Sequence, residues 1–151
     1  MPLADDARCR IVLLHPPLDG DAGERLATAC GKLFAQFIRE GRCDAATAEI
    51  EHGGAALVLA WSPAVPLSGC SHDKLNALLA AHGRDPVPPP CCVRLSDGWR
   101  CLDRAGLRAQ AAADTPLLDH RLERLGDWRA HGLTTVGASW AAALLPRPIP
   151  T

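Results

Sequence analysis

The feature that most limits what this chain can become is the pair of segments at residues 44–52 and 55–61. The first alternates, with Ala46, Ala48 and Ile50 on one side and Thr47, Glu49 and Glu51 on the other. Successive side chains of a strand point to opposite faces, so that alternation predicts a half-exposed strand. The second, Ala55-Ala56-Leu57-Val58-Leu59-Ala60-Trp61, is an unbroken apolar run, which predicts a strand covered more completely. Between them Gly53-Gly54 is a two-residue hairpin signal, because glycine tolerates the positive φ that such turns demand.

The flanking segments extend this hairpin into a recognisable order. Residues 10–15 are a β-branched and leucine run stopped by Pro16-Pro17, hence a strand. Asp19-Gly20 turns the chain, and Asp21 with Glu24 resembles a capping box. Leu26, Cys30, Leu33, Phe34, Phe37 and Ile38 then mark a long amphipathic helix ended by Gly41. After the hairpin, Leu75, Leu78, Leu79 and His82 recur at helical spacing, with Gly83 and Pro86 as stop signals. Residues 86–90 read as a stiff extended linker, residues 91–95 as a strand, Ser96-Asp97-Gly98 as a turn and residues 99–102 as its hairpin partner. The order through residue 95 is β-α-β-β-α-β. The predicted class is α+β, a ferredoxin-like βαββαβ antiparallel sheet with two helices on one face, its first and third strands central and its second at an edge. Residues 96–151 add the hairpin strand and short helices near 102–113, 119–130 and 139–145, with a break at Asp114-Thr115-Pro116 and a frayed end at 147–151. The whole is read as one domain, a core over 1–95 and an extension over 96–151 packed on one edge or end of it.

Composition removes several classes of function. A net charge of −1 supplies no long-range pull toward nucleic acid or anionic membranes, so neither is an expected partner. No apolar run approaches the ~20 residues of a membrane span, and the start is not that of a signal peptide. The seven cysteines are odd in number and contain no Cys-x-x-Cys, which argues against a thioredoxin motif, a zinc ribbon or a disulfide framework. A reduced cytoplasmic protein is the expectation. Gly31-Lys32 is no phosphate loop, because Leu26 occupies the place of its first glycine and Leu33 follows the lysine.

Reactive side chains crowd at one place, Ser68-Gly69-Cys70-Ser71-His72-Asp73-Lys74. Val65-Pro66 enforces an extended approach, and Ser68 or Ser71 can cap the helix that follows. A Cys70 thiolate at that helix start would be favoured by unpaired N–H groups, the dipole and Lys74, and opposed by Asp73. The bland alternative is a capped helix with Cys70 as a small apolar filler. In the expected topology Arg8, Arg10, Arg39 and Arg42 gather near this helix start, together with Cys9 and Cys43. The candidate ligand-binding residues are therefore Ser71, His72, Asp73, Lys74, Arg10 and Arg42, with Cys70 as the candidate catalytic group. Cys9, Cys43, Cys70 and His72 could also form a Cys₃His set, but the paired spacing that announces structural zinc is missing, and neither metal nor cofactor is expected.

Gly69-Cys70-Ser71-His72-Asp73-Lys74, behind a hydrophobic strand, resembles the Gly-Cys-Ser-x-Asp-Lys segment of small uncharacterised bacterial proteins, best known from Bacteroidetes and often labelled "ABC transporter ATPase". The likeness extends to the preceding β-α-β-β order and, loosely, to Ser139-Trp140 before a short helix. It implies a shared site at Cys70, Ser71, Asp73 and Lys74 and supplies no activity, since this chain carries no phosphate-loop sequence. Two functions of different class are carried forward. One is a small-anion-binding or interaction module sited at the Cys70–Lys74 helix start, with a small anionic ligand, a protein partner or a second copy of the chain as its partner. The other is a thiol-dependent enzyme or redox protein with Cys70 as nucleophile.

Overall fold

The computed structural model describes residues 3–18, 20–87 and 90–146. Its elements are β1 (Arg8–Leu13), α1 (Gly20–Arg39), β2 (Ala45–Glu51), β3 (Ala56–Ser62), α2 (Gly69–Ala81), β4 (Cys91–Leu95), β5 (Gly98–Leu102), α3 (Arg104–Gln110), β6 (Pro116–Leu118), α4 (Leu125–His131) and β7 (Leu133–Thr135). Short 3₁₀ turns occupy His52–Gly54 and Trp140–Leu144. The class is α+β, as the patterning predicts. The expectations for Asp19, for the middle of the proline linker at 88–89 and for residues 147–151 lie outside the described residues.

β1, β3 and β2 form one antiparallel sheet in that order, with β3 between its neighbours. The apolar run of β3 explains its place. Leu57, Leu59 and Trp61 point to one face and pack with Val12, Phe34, Phe37, Leu75 and Leu79 beneath α1 and α2. Ala56, Val58 and Ala60 point to the other face and pack with Ile11, Leu13, Cys92, Leu118 and Trp128. A strand with no polar position can only be covered on both sides, and here two layers cover it.

The fold departs from the expected four-stranded sheet at β4. This strand does not pair with β1; it lies inside a second antiparallel sheet of order β5-β4-β6-β7. Both of its edges are used, one by β5 through the tight Ser96-Asp97 turn and one by β6. With both edges hydrogen-bonded to these partners, it has none left to offer β1. β1 is consequently an edge strand, not a central one.

The second sheet stacks on the first and is itself covered by Leu107 of α3, Val136 and Ala141, which close a third apolar cluster around Cys91, Val93 and Leu117. Cys91 and Cys92 thus point to opposite faces, as adjacent strand residues must. The tail differs from its reading in two respects. Residues 116–118 and 133–135 are strands, and the helix expected over 119–130 is confined to Leu125–His131. Residues 122–124 instead run along the edge of β1, where Cys9 N–H donates to Glu123 O at 2.8 Å and Arg8 bridges Arg124.

Candidate functional site

Two helix ends bring the predicted residues together. α1 stops in a paired-hydrogen-bond turn: Arg42 N–H donates to Phe37 O at 2.8 Å and Gly41 N–H to Ile38 O at 3.1 Å. Gly41 has φ 74°, a left-handed conformation that favours glycine at this position. That turn aims Arg42 at the start of α2, where its Nη1 donates to Ser71 Oγ at 2.9 Å while its Nε donates to Glu40 Oε2 at 2.6 Å. Ser68 is the N-cap; its Oγ accepts from Ser71 N–H at 3.1 Å and lies 2.9 Å from Ser71 Oγ. Ser71 is fully buried, so its hydroxyl is satisfied by Arg42 on one side and by Ser68 on the other.

The front of α2 is therefore a closed network with the residues that follow α1. Cys70 is exposed beside it, and the Arg42 guanidinium is held above its ordinary value by hydrogen bonding to Cys70 and then to Glu40. Asp73 is exposed and Lys74 half-exposed, with Lys74 close enough to Glu40 to help lower that carboxyl, after the hydrogen bonds from Gln36 and Arg42. Arg8 is turned away and ion-paired with Glu123 at 3.1 Å. Cys9 and Cys43 lie in different apolar layers, Cys9 between the sheets and Cys43 beneath the helices. Among the described residues no three His, Cys, Asp or Glu side chains converge as metal ligands.

The other face of α2 meets Arg10. This residue sits on the helix side of β1, at the edge that β4 leaves open. Its Nη2 donates to Asn76 Oδ1 at 2.6 Å, and its Nη1 lies 3.3 Å from His72 Nδ1. His72 and Asn76 are four residues apart, so they share one helical face and receive the same guanidinium. His72 also stands edge-on to Trp61, with ring centroids 6.1 Å apart. Burial, and next the charge of Arg10, push the His72 pKa below 6.5 despite Asp73. The imidazole is neutral near pH 7, and its Nδ1 can accept from the arginine. Behind Arg10, burial pushes the Cys30 thiol up to about 11, so it is uncharged.

Arg10 and His72 form one wall of a cavity of about 620 Å³ that follows β1 along its open edge. The tail segment His120-Arg121-Leu122-Glu123 lines it as well, as do Asp85, Pro86 and Pro90. His120 Nδ1 is buried there without a hydrogen-bond partner. Arg121 Cζ lies over the Trp140 ring, 3.8 Å from its centroid, a cation–π contact that holds the guanidinium in place. Among the described residues Arg10 has no carboxylate within ion-pair distance, whereas Arg8, Arg42, Arg100 and Arg129 each have one.

The structure thus joins Arg42 to Ser71, with Cys70 beside them, and Arg10 to His72, but on two separate faces of α2. Asn76, His120 and Arg121 are not among the candidate residues the sequence offers. Asn76 is within its reach, four residues beyond His72 on the same helical face. His120 and Arg121 are not, because their place beside β1 depends on β4 leaving the first sheet. Compared with known protein families, with curated proteins and with solved structures, the chain matches none.

Proposed function

We propose that this protein is a binding module for a small anionic group, carboxylate or phosphate in kind, held in the cavity along β1 with Arg10 as its principal contact. One observation carries the reading: a half-buried guanidinium, hydrogen-bonded to the neutral acceptors His72 and Asn76, faces a cavity whose two carboxylates leave it unpaired, Glu123 being engaged by Arg8 and Asp85 lying outside ion-pair distance. Removing a charge from water is costly unless it is paired, and the cost falls when an anion occupies the vacant side. A planar fork with donors left over suits two-point recognition of carboxylate or phosphate. The reading keeps the anion-binding role first expected at the start of α2 and moves its centre one helical face away. The α2 start itself is already supplied with acceptors by Ser68, Ser71 and Glu40, and His72 belongs to both places.

Thermal unfolding of the full chain in inorganic phosphate, sulfate and acetate, at constant ionic strength, tests this. One of these anions is expected to raise the midpoint in a saturable way, with the effect lost in Arg10→Met and kept in Lys74→Ala. An equal shift in Arg10→Met overturns the assignment.

A second reading, a thiol-dependent enzyme or redox protein using Cys70, has in its favour that Cys70 is exposed and lies beside Arg42. The likeness to the Gly-Cys-Ser-x-Asp-Lys proteins points to the same residues. Seven unpaired cysteines suit a reducing, cytoplasmic setting for either reading, and among the described residues no helix is long and apolar enough to cross a membrane.

A further inference from the structure

Cys92 of β4 and Cys101 of β5 face each other directly across the hairpin. The two-residue Ser96-Asp97 loop makes the closing pair, Leu95 and Gly98, a hydrogen-bonded pair. Counting back by the alternation of an antiparallel ladder, Val93–Arg100 and Cys91–Leu102 are also hydrogen-bonded pairs, and Cys92–Cys101 is a non-hydrogen-bonded one. At such a pair the Cα atoms stand about 4.5 Å apart and the side chains are at their closest, which lies inside the span of about 4.4–6.8 Å that a disulfide bridges. Both side chains point to the same face, toward the layer between the sheets. Their accessibility differs: Cys92 is fully buried, whereas Cys101 is only partly covered.

We propose that Cys92 and Cys101 form an oxidisable dithiol, a modification site that closes into a disulfide when a peroxide reaches Cys101. The chemistry balances in two steps. The Cys101 thiolate attacks one oxygen of hydrogen peroxide, breaking the O–O bond; the sulfur becomes a sulfenic acid, and the departing hydroxide takes up the thiol proton to leave water. The Cys92 sulfur then attacks the sulfenic sulfur, the S–S bond forms, and hydroxide leaves and is protonated to a second water. Two thiols and one peroxide give one disulfide and two waters. The two sulfurs are suited to unequal parts. Cys101 is the one a peroxide can reach, and the close approach of the two thiols lowers its pKa, while that contact and burial raise that of Cys92. The partly exposed residue is the first nucleophile and the buried one the resolving thiol. Cys91 does not compete, since it points into the layer on the other side of the second sheet and its thiol donates to Leu102 O at 3.2 Å.

The test treats the folded full chain with hydrogen peroxide, blocks remaining thiols after unfolding, and maps peptides by mass spectrometry without reduction. A Cys92–Cys101 linked peptide is expected, formed with loss of two hydrogens, reversed by dithiothreitol, and absent in Cys101→Ala but present in Cys91→Ser. Should Cys101→Ala fold poorly, the wild-type map alone decides. If Cys70 is oxidised while Cys92 and Cys101 remain fully blockable, the proposal is overturned.

Discussion

Arg10 and its two neutral partners make the site sensitive to acid. The pKa of His72 is pushed below its ordinary 6.5 by burial, then by Arg10, and that of His120 by burial, with Arg121 adding to the effect and Asp119 opposing it. Each imidazole binds a proton less readily in the folded chain than in the unfolded one. The stability this contributes is present above about pH 6.5 and is lost as the pH falls through the lower folded values. The unfolding midpoint is therefore expected to drop on acidification from pH 7.5 to about 5.5. In His72→Gln, whose amide oxygen can still accept from Arg10, the slope should be visibly shallower. A wild-type midpoint flat across this range would contradict the neutral His72–Arg10 contact.

At the level of elements, what positions the site is the way α1 ends and α2 begins. Replacing Gly41 by alanine puts a side chain at φ 74°, which is expected to cost about 1 kcal/mol and to loosen Arg42 from Ser71. Ser68→Ala removes the oxygen that accepts from Ser71 N–H and is expected to cost about 1 kcal/mol as well. Denaturant unfolding of the two variants measures both costs. Wild-type stability in either would mean that the Arg42–Ser71–Ser68 network holds nothing in place. These same features show what could be read in advance. The Gly41 and Gly83 stops, the Ser68 cap and the contrast between β2 and β3 are local signals, set by backbone sterics and by period, and they appear in the structure as expected. The partner of β4 is not a local property. Cys91-Cys92-Val93 is apolar on both faces and would suit an interior position in either sheet; what fills its second edge is the short strand at 116–118, which resembles a turn in the sequence. Arg10 and His72 are legible as candidates because the sequence pattern puts one at a strand start and the other at a helix start, although β1 begins at Arg8 and holds Arg10 inside it; the cavity between them and the tail is not.

Across the whole molecule, the tail supplies Leu118, Leu125 and Trp128 to the layer beneath the first sheet. Trp128 is buried against that layer, donates from Nε1 to Glu51 Oε1 at 3.1 Å and stands edge-on to His52 at 5.7 Å. Trp128→Ala is expected to cost about 3–5 kcal/mol through the cavity it leaves and the lost transfer energy. Trp128→Phe, which fills most of the space but loses the N–H, should cost considerably less. Equal losses in the two variants, measured by chemical denaturation, would place the weight on the Glu51 hydrogen bond instead of on packing.

The same tail laces the two ends of the chain together. Besides Cys9 to Glu123, Leu125 N–H donates to Ala7 O and Gly126 N–H to Asp5 O, each at 2.8 Å, and Arg129 pairs with Asp5 at 2.7 Å. Gly126 is pressed so closely that a methyl group there would meet Asp5 Cβ at 2.8 Å. During synthesis the first strand emerges from the ribosome with one edge and one face uncovered, and the Glu123 segment that covers the edge follows Arg8 by 115 positions. Contacts so distant in sequence form late, after the loop closures that bring them together. A nascent chain halted before residue 123 would hold an unfinished strand edge open to any other extended chain, so the interval between making β1 and making its clasp is the period in which this protein depends most on being kept apart from its neighbours.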